Sequence, residues 1–95
     1  MRVQYRAKAL ADIDRIECYL ESLDVDGARS VVRGIYDSIR AIAEVPYASQ
    51  QTNDSELRVK IVRRYRYKIF FRIVDADSIR IIHVRHTSRQ PWPHN

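Results

Sequence analysis

The chain has 95 residues, so residues 1–95 are expected to form one domain, and with 45% of them apolar it should fold rather than stay disordered. Its one cysteine, Cys18, excludes an intramolecular disulfide and a multi-cysteine metal cluster; no apolar run nears the ~20 residues of a membrane span, and the opening Met1–Arg6 holds none long enough for a signal peptide, so a reducing cytoplasm is expected. The net charge of +5 hides an asymmetry: residues 1–56 carry seven Lys/Arg against ten Asp/Glu, and residues 57–95 carry ten against two, which predicts an acidic partner for the C-terminal part.

Arg2-Val3-Gln4-Tyr5 alternates polar and apolar residues, the period of a short strand. From Ala7 to Leu23 the period changes: Leu10, Ile13, Ile16, Leu20 and Leu23 recur at helical steps, with Asp12, Asp14, Arg15, Glu17 and Glu21 mostly on the other side. Asp24-Val25-Asp26-Gly27 interrupts that helix. A second one is predicted to start near Asp26, an N-cap residue type, and to carry the stripe Ala28, Val31, Val32, Ile35, Ile39 and Ile42 until Pro46 stops it. So short a connection predicts an antiparallel helical hairpin. Residues 47–56 are polar and aperiodic and read as a loop.

Strand periodicity then takes over. Leu57, Val59 and Ile61 alternate with Arg58 and Lys60; Tyr65, Tyr67, Ile69, Phe71 and Ile73 alternate with Arg66, Lys68 and Arg72. Asp75-Ala76-Asp77-Ser78 reads as a turn, and Ile79 to Val84 as the next strand. The tail after Ser88 holds Pro91 and Pro93 and should not extend the sheet. The expectation is an α+β fold: an N-terminal strand, then an antiparallel two-helix hairpin packed on a small antiparallel sheet.

Between Leu57 and Arg72 stand seven basic residues and no acidic one. If each strand turns its apolar residues to the helices, Arg58, Lys60, Arg66, Lys68 and Arg72 crowd on the opposite side, where Arg80 can join them. Arginine forks suit phosphate and carboxylate oxygens, so this face is the candidate binding surface. Tyr65, Tyr67 and Phe71 fall on the core side; Phe70 is out of phase and is the aromatic suspected of a contact role. His83, His86 and His94 lack metal-ligand spacing, Cys18 reads as packing, and two glycines, Gly27 and Gly34, cannot make a phosphate loop. No cofactor is expected. His86 is a candidate general acid or base and otherwise a polar strand-end residue.

The run Ala9-Leu10-Ala11-Asp12-Ile13-Asp14-Arg15-Ile16-Glu17-Cys18-Tyr19-Leu20 resembles the first helix of ParE-type toxins. The resemblance continues through Ala28-Arg29, Ile35-Tyr36-Asp37-Ser38-Ile39, Val45-Pro46, Leu57-Arg58, Tyr65 to Ile73, and Ile81 to Pro91. It implies the toxin of a type II toxin–antitoxin system, of the kind linked to plasmid stabilisation. Such a toxin is bound by a ParD-like antitoxin and directed at DNA gyrase, as a poison rather than a catalyst, with Arg58, Lys60, Arg66, Lys68, Arg72, His86 and Arg89 on the target- or antitoxin-binding surface. The related RelE branch, which cleaves mRNA on the ribosome, is the alternative; the chain offers it cations and His86 but Arg89-Gln90-Pro91-Trp92 where a RelE-like tail would place a tyrosine. A degenerate toxin kept only to bind an antitoxin is a third reading.

Overall fold

A computed structural model describes residues 1–87. The chain runs β1 (Arg2–Tyr5), α1 (Ala7–Glu21), α2 (Val25–Glu44), a 3₁₀ turn (Pro46–Ala48), β2 (Gln50–Gln51), β3 (Arg58–Val62), β4 (Tyr67–Asp75) and β5 (Ser78–His86). The strands form one five-stranded sheet in the order β1-β5-β4-β3-β2. The fold is α+β as expected, with one refinement: β1 lies parallel to β5, while the other neighbours are antiparallel. Among the described residues no helix is long and apolar enough to cross a membrane.

The helical hairpin covers one face of the sheet. Ile35, Ile39 and Ile42 of α2 meet Tyr67, Ile69 and Phe71 of β4 and Ile79, Ile81 and Val84 of β5 in one buried cluster, whose exclusion from water is the main stabilising term for so small a domain. Helix α2 begins at Val25 because the Asp24 carboxylate, rather than that of Asp26, caps it, accepting the Asp26 N–H at 3.1 Å. A side chain at Gly27 would put its Cβ 2.8 Å from Asp24 Oδ2, so this position keeps the cap clear. Helix α1 buries a narrower stripe than expected, with Ala9, Asp12 and Ile13 as its buried residues. Leu10 lies about 100° round the helix from Ala9, Leu23 falls beyond the helix end, and both are exposed. Cys18 is exposed too, not packed. Asp14 above all raises the pKa of its thiol, followed by desolvation and then Glu21 and Glu17, so it is a poor thiolate.

The strands depart from the expected pattern at three places that decide what each face presents. First, β3 has the opposite phase. Its register pairs Val62 with Tyr67, Lys60 with Ile69 and Arg58 with Phe71, so those three share the helix-facing side, and Leu57, Val59 and Ile61 point the other way. The cause is the hairpin turn: Tyr65 and Arg66 belong to it rather than to the strand. Arg66 takes a left-handed conformation at φ 61°, its N–H donating to Arg63 O and its carbonyl accepting the Thr87 N–H at 2.7 Å. Second, Phe71 pairs with Ile81 but Phe70 pairs with His83, so Ile82 is an extra residue and β5 changes phase there. Val84 and His86 then point inward, and the strand runs on to His86. Third, the segment read as a loop contains the 3₁₀ turn and β2, and Thr52 N–H donates to Leu57 O to close it.

The outer face of the sheet consequently has a small apolar centre of its own. Leu57, Phe70 and Ile82 are buried there with Val59 against them. Phe70 is out of phase with the main core, but it is 5% exposed and packs rather than offering a free contact surface.

Candidate functional site: a cationic sheet face and the carboxylate at its edge

Two pairs of basic residues flank the outer apolar centre. Arg72 of β4 stands directly across from Arg80 of β5, and Lys68 across from Arg85. Like charges at such positions repel, and each arginine has an acceptor that holds it. Arg80 donates to Gln4 Oε1 through Nε and Nη2 at 3.1 and 2.9 Å. Arg72 reaches Asp54 at 3.5 Å and Glu56 at 3.6 Å. Arg85 turns over the strand edge to Asp12 at 3.5 Å.

This face differs in membership from the one expected. Lys68 and Arg72 lie on it and Arg80 joins them; Arg58 and Lys60 do not, because the phase of β3 carries them to the helix side. There Arg58 donates to the carbonyls of Ser49 and Tyr47 at 2.8 and 3.4 Å and lies 5.2 Å over the Tyr47 ring. Lys60 borders a groove with Ala41, Ile42 and Val45 at the end of α2. Arg66 is in the hairpin turn, and Arg89 lies outside the described residues. His86 is on the inward side, its ring edge-on to Tyr67 at 5.1 Å, in a cleft of about 310 Å³ lined also by Ile16, Tyr19, Arg15 and Asp12. The expected candidates are therefore divided between two faces and a turn.

Asp12 and Arg85 were not legible as site residues. β1 ends at Tyr5, and Arg6 N–H makes the last contact along that edge, to Ile81 O at 3.0 Å. Beyond it the edge of β5 faces α1, which supplies Asp12: Oδ2 accepts the Val84 N–H at 3.1 Å, and Oδ1 accepts from Arg15 at 3.3 Å and Arg85 at 3.5 Å. The carboxylate is 1% exposed. It completes the hydrogen bonding of a strand edge and offsets a buried guanidinium in one move. An acidic residue within a helix reads as solvent-facing until that strand edge is known.

His83 Nδ1 lies 3.9 Å from Asp12 Oδ2. Burial chiefly, then the charge of Arg85, holds its pKa below the ordinary 6.5, with Lys8 and Arg6 adding to that and Asp12 opposing it. Since the unfolded chain then takes the proton first, stability present above about pH 6.5 should fall as the solution is acidified below it. Urea midpoints measured from about pH 7.5 downward should show that decline, and His83→Gln should flatten it; an equally steep decline in the variant would assign the acid loss elsewhere. Among the described residues no three His, Cys, Asp or Glu side chains converge as metal ligands would.

Fold and site together define a small α+β protein with one helical face and one cationic sheet face, the second suited to an anionic macromolecular surface. The chain belongs to the ParE toxin family: the family described as the ParE toxin of the type II toxin–antitoxin system parDE matches residues 3–91. It is 30% identical over 92 residues to the protein named "Putative toxin Y4kP" of Sinorhizobium fredii (strain NBRC 101917 / NGR234), covering 97% of this chain and 93% of that protein. Its fold is that of a chain from the chromosomal ParDE toxin–antitoxin system of P. aeruginosa, with a TM-score of 0.79 at 20% identity over 90% of this chain and 95% of that one.

Proposed function

We propose that this ParE-type chain is the active toxin of a type II pair. In this reading it is held inactive in the cytoplasm by a ParD-like antitoxin and, once released, binds DNA gyrase through the outer sheet face. The observation that carries the reading is the joint one of family membership over residues 3–91 and a sheet face bearing Lys68, Arg72 and Arg80. Long-range attraction from such a face speeds encounter with an acidic protein or a protein–DNA complex, and the apolar centre between the cations gives it shape. Poisoning a topoisomerase requires binding and no catalytic group.

Cleavage of ribosome-bound mRNA would require a general base and cations on one scissile phosphate. His86 points to the helix side while Lys68 and Arg72 point to the other. That separation supports the gyrase reading over the nuclease one. The test runs both reactions with one preparation: purified toxin is added to gyrase supercoiling and to programmed ribosomes. Loss of supercoiling with intact mRNA is expected; cut mRNA with unaffected gyrase would overturn the target assignment.

A further inference from the structure

The turn between β3 and β4 carries charge that the outer sheet face does not use. Arg63, Arg64 and Arg66 are all exposed there, and Tyr65 between them is half-buried. Among the described residues none of the three arginines is ion-paired to a carboxylate. Like charges so close in the chain work against folding, and salt screens only part of that.

The turn is also fixed in place. Arg66 N–H donates to Arg63 O at 3.3 Å, and Arg66 O accepts the Thr87 N–H at 2.7 Å, which ties the turn to the end of β5. The ring of Tyr65 seats on helix α2 at Gly34, where a Cβ would lie 2.7 Å from Tyr65 Cε2. A glycine inside a helix costs stability relative to alanine, and here it gives the ring the room to dock. Three residues along the helix, the carboxylate of Asp37 pairs with Arg40 rather than with the turn. Arg64 lies over the Tyr65 ring at 5.3 Å from its centroid, a contact that positions the guanidinium and leaves its charge uncancelled.

We propose that this turn is a binding site for the phosphate backbone of duplex DNA, separate from the sheet face assigned to the protein target. The turn offers fixed arginine charge and no exposed apolar residue to anchor a protein partner, whereas phosphate contacts need only well-placed cations. Its one aromatic ring is committed to Gly34 and is not free to stack on the bases of a single strand. B-form DNA sets its phosphates on either side of a groove about 12 Å wide, which can receive the tip of a two-stranded ribbon; the corresponding groove of A-form RNA is deep and narrow. The inference does not depend on gyrase being the target, since a bare duplex tests it.

The full chain is titrated into a fluorophore-labelled DNA duplex of mixed sequence, with anisotropy read across about 50 to 200 mM salt. Each phosphate contact contributes about −0.9 to the slope of log K against log salt, so Arg63→Gln with Arg64→Gln should make the slope shallower by about 1.8 and weaken binding about tenfold or more near 0.1 M salt. Arg63→Lys with Arg64→Lys keeps the charge and should retain most of the slope. If the glutamine pair does not fold by circular dichroism, Arg63→Gln alone serves, with a slope change of about 0.9. Wild-type slope and affinity in the folded glutamine variant would overturn the proposal. An equal loss in Arg72→Gln with Arg80→Gln would also overturn it, because the same charge removed from the sheet face would then matter as much. So would an RNA duplex of the same length bound as tightly, or polyglutamate of equal charge displacing the DNA as well as unlabelled duplex does.

Discussion

Asp12→Ala should cost about 3–5 kcal/mol of folding stability, the loss typical of removing one partner from a buried charge pair. The substitution deletes few atoms but strands several groups. Val84 N–H loses its acceptor on an edge where β1 has already ended, and Arg85, whose side chain is 12% exposed, keeps its charge with no carboxylate beside it. Arg15 contributes less, since its side chain is 58% exposed and water can replace the contact. A domain of this size has about 5–15 kcal/mol in total, so the variant should unfold at a much lower urea concentration, near the limit of expression as a folded protein. Asp12→Asn is the informative companion. Its amide oxygen can still accept the Val84 N–H, so it should lose less than alanine while still leaving Arg85 unneutralised. A midpoint within experimental error of wild type for Asp12→Ala would mean that the strand edge finds another acceptor.

Reversing charge on the outer face should abolish growth arrest without unfolding the protein. Lys68→Glu with Arg72→Glu turns two cations of the face into anions and leaves the buried cluster untouched, since Lys68 and Arg72 are only partly buried and neither packs into it. Electrostatic steering commonly supplies 10- to 10³-fold in association rate, and reversal converts attraction to repulsion, so inhibition should fall by roughly that range. The fold is checked by circular dichroism and by the denaturation midpoint. The comparison must be made at equal amounts of soluble protein. A folded double variant that still arrests growth as wild type does would mean that toxicity does not act through this face. Arg66 is not a suitable second position: it sits in a left-handed turn, and its backbone carbonyl anchors Thr87.

The sequence made the order of elements legible because helix and strand periods differ and the breakers Asp24, Pro46 and Asp75–Ser78 fall between them. The face of β4 was legible as well, since Tyr67, Ile69 and Phe71 alternate cleanly with Lys68, Phe70 and Arg72. The face of β3 was not. Its apolar residues are spread over both parities, Leu57, Val59 and Ile61 against Val62, and both sides of the sheet bury something there; only the turn at Arg66 fixes which parity meets the helices. In β5 the run Ile81-Ile82-His83-Val84 can be read in either phase, and the bulge at Ile82 decides it. Strict alternation from Ile79 would have sent Arg85 into the core, which hid it as a site residue. Long-range partnerships left no local trace: the parallel pairing of β1 with β5 and the contact between Asp12 and Val84 join residues about seventy positions apart.

The chain is expected to be poisonous through what it binds, and controlled induction tests that most directly. The intact chain is expressed from a tightly repressed promoter with and without a co-expressed ParD-like antitoxin, and surviving colonies are counted alongside chromosomal double-strand breaks. The expected result is a loss of viability by orders of magnitude with accumulation of breaks, both reversed by the antitoxin. Undiminished viability while folded, soluble chain accumulates would contradict it and leave only an antitoxin-binding module.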